Sequence, residues 1–515
     1  MNIKLILHMQ DLMNQNEIKT DLSSGFSVAL VALPLSIGIA LASGAPASAG
    51  VMAAIIGGVL GSWLGGAHVT INGPAAGLIV IVLDATMELG FKGMLGAAVV
   101  AGVLQTLMGA FKLGRKGSLF PASVVHGMMA AIGIIIIAKQ THILIGHVPI
   151  AKNPIMLLAE IPLAFRDFKP LVLVVGVLSL ILLIIWNQIQ HPVLKKIPAP
   201  LLGVIFGAIC GSFLGLESSA LLNIPSDLRQ WIIFPDFNHM QTFLGWKTAL
   251  TLAIVGSLET VLSATAVDKI DPLKRKTDLD RDLLSKGLCN IVSGSLGGLP
   301  MIAEIVRSSA NISYGGKTWK SNFFHGIVIL VAVIFLPRAL NLIPLSALAA
   351  ILVMIGWRLG SPKHFKHALE IGRDNLVGFV VTMIVTLGVD LLVGIFCGVL
   401  SQYLVEIFLG TRFKNSFKST YHLTSTEDKH RFEVQGTLIF SNFLSLKEVI
   451  MKLATEKQEL TLDLTQCDYI DHSVMEQIDE IRGFCQHQGT PFTLIISPNQ
   501  HPMGHSTLSA RKKAS

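Results

Sequence analysis

The chain has 515 residues, of which 51% are hydrophobic and only 14% charged, with a formal net charge of +7 and a mean hydropathy of +0.63. No single soluble core needs so much apolar sequence, and runs near the ~20 residues required to cross a bilayer recur from 20 to 410, so a polytopic α-helical membrane protein is expected. The basic excess is spread over separate short loops rather than gathered on one face, which argues against nucleic acid as a partner.

Taken in chain order, the first apolar run follows Asp11, Glu17 and Asp21 and leads directly into further spans. That fits a first transmembrane helix retained in the mature protein better than a cleaved signal. Length and breaks predict helices over 23–42, 46–65, 74–88, 93–112, 119–138, 168–188 and 199–216. A second set is predicted over 246–266, 284–297, 302–313, 321–336, 344–357, 375–391 and 393–411. Fourteen segments as 7+7 repeats, with an odd number in each, imply an inverted topology. With the N-terminus in the cytoplasm, the inside loops carry Lys112, Arg115 and Lys116; Lys195 and Lys196; Lys269, Lys274, Arg275, Lys276 and Arg281; and Arg358, Lys363, Lys366 and Arg373. Loop 217–245 carries Glu217, Asp227 and Asp236 against Arg229 alone, so the positive-inside rule supports this orientation.

The third segment of each set opens at a Gly/Pro break, Ile71-Asn72-Gly73-Pro74-Ala75-Ala76-Gly77 and Gly297-Gly298-Leu299-Pro300-Met301-Ile302-Ala303. Backbone at membrane depth cannot leave its polar groups unpaired in lipid, so such breaks belong in protein or beside a watery cavity. A helix restarting at Pro74 or after Pro300 would aim free N–H groups and its positive dipole end at that cavity, which suits an anion.

Beyond Thr411 the composition becomes that of a small α/β domain: a strand over 431–436, an amphipathic helix over 444–457, a strand over 460–464, a helix reaching Arg482 and a strand over 492–496. This β-α-β-α-β order predicts parallel strands with crossover helices. The domains expected are a cytoplasmic segment 1–22, a transporter domain 23–411 (repeats 23–216 and 246–411), an α/β domain 412–497 and a disordered basic tail 498–515.

Gly25–Ala42 with its central Pro34, Asn72-Gly73-Pro74, Gly256-Ser257-Leu258-Glu259-Thr260-Val261-Leu262-Ser263, and Val306-Arg307-Ser308-Ser309-Ala310-Asn311 followed by Gly315-Gly316-Lys317-Thr318 together resemble the sulfate permease (SulP) family. The C-terminal part resembles the STAS domain that follows the membrane part there. The resemblance implies a core domain of segments 1–4 and 8–11, a gate domain of segments 5–7 and 12–14, and a homodimer in the cell (inner) membrane. It also implies an anion held between segments 3 and 10, which places substrate contacts at Gly73, Pro74, Ala75, Ala76, Ala303, Glu304, Arg307 and Ser308. Arg307 offers a permanent charge and a planar fork of donors; its alternative is a structural salt bridge with Glu304.

Glu259 and Ser263 lie one turn apart on segment 8. A carboxylate plus a hydroxyl can hold Na⁺, or the acid can carry H⁺; otherwise Glu259 only anchors packing. The resemblance implies a coupling acid here, and bicarbonate members that bind sodium add a hydroxyl where this chain has Ile305. Two acids against Arg307 leave a net negative centre, so cation coupling is expected. Leu35 replaces the glutamine that many members place after the central proline. With the run Pro300–Ser308 it makes the chain similar to a bacterial subgroup associated with carbonic anhydrases, which favours bicarbonate, although sulfate and dicarboxylates stay open.

Ser473 stands where soluble STAS relatives carry a phosphorylated serine, but His472 and Val474 break the motif, so a strand-to-helix N-cap is the default. The domain's expected role is dimer contact or binding a cytoplasmic partner. No nucleotide-binding loop is present, which weighs against an ATP-driven pump. The five cysteines form no metal or disulfide pattern; His68 and His126 are left unassigned, and no cofactor is expected. The function expected is secondary active transport of a small inorganic oxyanion. The alternatives are an H⁺-coupled dicarboxylate carrier, an anion channel or exchanger, a nucleobase-type carrier and a non-transporting STAS scaffold.

Overall fold

The computed structural model describes residues 15–115, 121–151, 153–189, 191, 194, 197–410, 419–426 and 429–513. Residues 1–14, the loop lysines Lys116, Lys195 and Lys196, and the expected domain boundary at 411–412 lie outside the described residues. The chain divides into two compact units, residues 1–117 with 135–357 and residues 118–134 with 358–515.

The helices of the first half are α1 (Gln15–Ala42), α2 (Ala47–Leu64), α3 (Ile79–Ala110), α4 (Ala122–Ile145), α5 (Pro154–Ala164), α6 (Pro170–Gln188) and α7 (Ala199–Phe213), with strand β1 (Ile71–Pro74) before α3. α1 runs through Pro34 without a break. α3 holds one residue of non-helical backbone, Gly90 at φ 70°, ψ 163°, a conformation that needs glycine. It therefore behaves as two helices meeting where the sequence predicts a gap between segments 3 and 4. α5 was not anticipated; Asn153 caps it by accepting from the Ile155 N–H at 2.9 Å.

The second half follows as α8 (Phe243–Ile270), α9 (Leu279–Leu296), β2 (Met301–Glu304), α10 (Ile305–Ser313), α11 (Lys320–Phe335), the short α12 (Pro337–Leu340), α13 (Leu345–Leu359), α14 (Pro362–Ile371), α15 (Arg373–Gly388) and α16 (Leu391–Phe408). Among the described residues, eight helices are long and apolar enough to cross a membrane.

In the first unit, α1, α2, α3, α8, α9 and α11 pack around β1, β2 and α10. Small residues allow the close approach: Gly58 of α2 meets Gly326 of α11, Gly50 meets the Ser36 carbonyl, and Gly102 and Gly287 face each other between α3 and α9. This is how helices associate where lipid and side chain are equally apolar. Buried charges are paired inside this unit. Lys286 and Asp282 pair within α9 at 2.8 Å, and Asp21 accepts from the Lys317 and Thr318 N–H groups, fastening the Gly315–Thr318 turn to α1.

In the second unit, Gly394 and Gly398 of α16 lie against Thr386 and Thr382 of α15. The C-terminal domain contains β3 (Thr420–Ser425), β4 (Lys429–Leu438), α17 (Phe443–Thr455), β5 (Glu459–Ile470), α18 (His472–Gln488), β6 (Phe492–Ile495), β7 (Gln500–Pro502) and β8 (Arg511–Lys513). β4, β5 and β6 pair in parallel as the β-α-β-α-β order requires, and β3 adds an antiparallel edge. Phe432, Leu462, Leu464, Phe443, Leu446, Val474 and Ile478 fill the core between strands and helices. The expectation of a disordered tail over 498–515 is corrected for residues 498–513, where β8 pairs with β5 and β7 with β8; residues 514–515 lie outside the described residues. The end of β5 offers unpaired backbone groups there, and even a basic segment satisfies them.

Candidate functional site

The two breaks are bonded to each other. β1 and β2 form a two-stranded antiparallel sheet in which Ile71 faces Glu304, Asn72 faces Ala303, Gly73 faces Ile302 and Pro74 faces Met301. This corrects the expectation that a helix restarts at Pro74, since Ala75 remains extended, a 3₁₀ turn begins at Ala76 and α3 begins at Ile79, while α10 does restart after Pro300, at Ile305. Both helices thus start from the same sheet, with the breaks' polar groups paired across it as membrane depth demands.

Buried asparagines close the edges of this sheet. Asn290 of α9 behaves as a neighbouring strand: its Oδ1 accepts from the Met301 N–H at 2.7 Å, and its Nδ2 donates to the Met301 carbonyl at 3.1 Å and to Gln105 Oε1 at 2.7 Å. On the other side the Asn72 N–H donates to Asn322 Oδ1 at 3.2 Å, while Asn72 and Asn322 both donate to the Gly57 carbonyl. Asn311 Nδ2 donates to the Val69 carbonyl at 2.8 Å. Sequence reasoning missed Gln105, Asn290 and Asn322; their signal is an amide inside an otherwise apolar segment.

All eight expected substrate positions come together here. Arg307, in the first turn of α10, is fully buried. Its Nη2 donates to the Pro74 carbonyl at 3.5 Å, and its Nε and Nη1 have no hydrogen-bond partner among the described residues. Gly73 makes room for it, since a Cβ at Gly73 would run into Nη1. Glu304 is the last strand residue and the N-cap position of α10; its Oε1 accepts from the Ala76 N–H at 3.5 Å. The Ser308 hydroxyl accepts from the Ile71 N–H at 2.9 Å and donates to the Glu304 carbonyl at 2.6 Å. That side chain fastens β1 to α10.

Glu259 reaches the same place from α8. Its carboxylate lies where a Cβ on Gly77 would be, beside the turn that opens α3, and it is half-buried. Ser263, one turn further on, is half-buried as well, and Ile305 is 38% exposed. Glu259, Ser263 and Ile305 are thus less buried than Arg307, which is fully enclosed. His325 of α11 was not anticipated: it is fully buried, both ring nitrogens lack partners among the described residues, and it lies within electrostatic reach of Arg307. Among the described residues no group of three or more His, Cys, Asp or Glu side chains could hold a metal ion.

Comparison with known proteins settles the family. The Sulfate permease family profile matches residues 18–384, and the STAS domain profile matches residues 423–500. The chain belongs to the sulfate permease family. It is 27% identical to "Putative sulfate transporter YvdB" of Bacillus subtilis over 96% of this chain and 94% of that one. It is 25% identical to "Bicarbonate transporter BicA" of Picosynechococcus over 82% and 77%. The fold matches the overall structure of SLC26A9 with a TM-score of 0.68 at 16% identity, covering 93% of this chain and 84% of that chain.

As a member of the sulfate permease family, the chain combines a mostly helical membrane-type transporter fold with a C-terminal STAS domain. Within that domain the expectation of Ser473 as N-cap is corrected, because Asp471 holds the N-cap position of α18. Ser473 is buried, and its Oγ accepts from the Ala122 N–H at 3.4 Å. All five cysteines are free.

A first prediction concerns Gly73. Gly73→Ala is expected to weaken anion binding at least tenfold and to cost about 1–3 kcal/mol of stability, the usual cost of overpacking a closed site. Equilibrium binding and thermal unfolding of the purified protein check it, and an unchanged affinity would show that the guanidinium's position against β1 does not matter.

Proposed function

We propose that this protein is a secondary active carrier of small inorganic oxyanions, bicarbonate or sulfate, coupled to a cation and working by alternating access of a core domain against a gate domain. The observation that carries the reading is Arg307: a buried guanidinium with Nε and Nη1 unpartnered among the described residues, beside the N-terminal ends of α3 and α10. A permanent cation with two free donors in a low-dielectric site matches an oxyanion in charge and in fork geometry. YvdB and BicA, by their names, support the substrate class.

Glu259 is the coupling residue in this reading. With Glu259 and Glu304 both ionised, Arg307 leaves the centre one charge negative, and an anion enters more readily once a cation or proton neutralises Glu259. A proton fits the lining better than Na⁺, because Ser263 is the one hydroxyl offered a turn away and Ile305 supplies no oxygen. The fourteen-span inverted topology, the homodimer and a cytoplasmic STAS domain in the cell membrane belong to the same proposal.

The test is uptake of labelled bicarbonate and sulfate into liposomes containing the purified protein, under separately imposed Na⁺ and pH gradients. Sulfate uptake driven by an inward H⁺ gradient, and bicarbonate uptake faster than in protein-free liposomes, where only CO2 crosses, are expected. A strict Na⁺ requirement would transfer the coupling site to sodium at Glu259 and Ser263, and no uptake of any anion would overturn the carrier reading in favour of a scaffold acting through the STAS domain.

A further inference from the structure

The second unit contains a seam between the STAS domain and the membrane helices α15 and α16. Most of it is ordinary packing. The Tyr403 ring of α16 lies 5.0 Å from that of Phe440; Tyr403, Leu409 and Met503 cover Ile439, Tyr469 and Ala510. The His505 N–H donates to the Glu370 carbonyl at 2.8 Å, and Gly504 lies against the Ile371 carbonyl.

Three acids stand inside this seam: Asp374 at the start of α15, Glu406 near the end of α16, and Asp471 between β5 and α18. They are 4%, 0% and 1% exposed. Both carboxylate oxygens of Glu406, both of Asp471 and Oδ1 of Asp374 lack hydrogen-bond partners among the described residues. The three are mutually within electrostatic reach. The Tyr469 hydroxyl donates to Asp374 Oδ2 at 3.4 Å. Tyr403 faces Glu406 from its own helix. The imidazole facing the acids is that of His472, whose Nδ1 lies 2.6 Å from the Leu508 carbonyl and whose Nε2 lies 3.7 Å from Glu476 Oε1. Backbone N–H groups of Ser473 and Phe440 point toward Asp471, and that of Asn375 toward Asp374.

Three carboxylates with one imidazole among them cannot all stay ionised in a closed apolar seam, because desolvation and mutual repulsion both oppose it. A proton on any one of them removes a charge from the cluster and turns an acceptor-only carboxylate into a group that can also donate. We propose that Asp374, Glu406 and Asp471 form a shared proton-binding site that holds the STAS domain on the membrane helices, so that docking takes up protons and loosens as the pH around the STAS domain rises.

The sign follows from linkage. A free aspartate ionises near ~4, whereas burial in the seam, with the Asp374 charge adding and His472 opposing, lifts Asp471 to about 6. The docked state therefore binds protons that the undocked state releases, and each shared proton makes the docking constant fall about tenfold per pH unit across the window between the two values. Because the acids interact, their protons come off in steps that belong to the group rather than to any one residue. This inference is independent of which anion is carried.

The test is hydrogen exchange of the full-length protein in liposomes, corrected for intrinsic exchange rates and followed over 459–488 from pH 5 to pH 9. In the wild type, protection of β5 and α18 is expected to fall by about tenfold or more as pH rises. Glu406→Gln should flatten that dependence and leave protection at high pH at least about tenfold above wild type. Asp471→Asn, also isosteric, should act the same way, and the thermal unfolding of both variants shows whether they are folded. Wild-type protection that does not change with pH, or folded variants with the wild-type pH profile, would overturn the proposal.

Discussion

Arg307→Ala is expected to raise the dissociation constant for bicarbonate or sulfate at least about a hundredfold while leaving a monodisperse, folded protein. Two guanidinium donors, Nε and Nη1, have no partner among the described residues, and hydrogen bonds from a charged donor contribute about 1.5–3 kcal/mol each. Losing both is about 3 kcal/mol or more, which corresponds to over a hundredfold in affinity. The fold should survive because the sheet beneath Arg307 is held by Asn290, Asn322, Asn72 and Ser308, none of which needs the guanidinium. Arg307→Lys keeps the charge but loses the fork, so its affinity should fall between the two. Isothermal titration of purified variants, with gel filtration as the control, measures this; a folded Arg307→Ala protein with wild-type affinity would remove the anion site from this place.

Glu259→Gln is expected to separate transport from its driving force. The amide matches the carboxylate in shape, so the packing against Gly77 is retained while the charge is lost. In liposomes at zero membrane potential, an inward gradient of one pH unit is worth about 1.4 kcal/mol per proton, or about tenfold accumulation at one proton per anion. The wild type should accumulate labelled sulfate to that extent, sulfate being the anion to use because CO2 carries H⁺ and bicarbonate together across any bilayer. The variant should reach only the external concentration, and it should still exchange internal for external anion. Gradient-driven accumulation by Glu259→Gln would show that the acid does not couple.

The family residues were readable in the chain because membrane depth makes certain signals local. Gly73-Pro74 and Pro300 interrupt apolar runs, and Glu259 and Arg307 are costly charges within such runs. The gap expected between segments 3 and 4 falls at Gly90 inside α3, whereas α5 and the delayed start of α3 could not be read locally. His325, Asn290 and Gln105 were missed because one polar side chain in an apolar helix gives no indication of which neighbour it meets. Ser308 illustrates the converse: its place in the motif suggests a substrate contact, yet its hydroxyl is engaged with Ile71 and Glu304.

Hydrophobic run length, Gly/Pro interruptions and the change of composition near residue 411 were enough to establish a polytopic helical protein with a small α/β domain, since each depends on residues close together in the chain. Tertiary structure alone decided that Ile71–Pro74 pairs with Met301–Glu304, that residues 511–513 join a sheet through β5, and that Asp374, Glu406 and Asp471 meet in one seam. The physical reason is the same in each case: the partner that satisfies a buried backbone group or carboxylate lies tens to hundreds of residues away, and no local pattern encodes which distant group it will be.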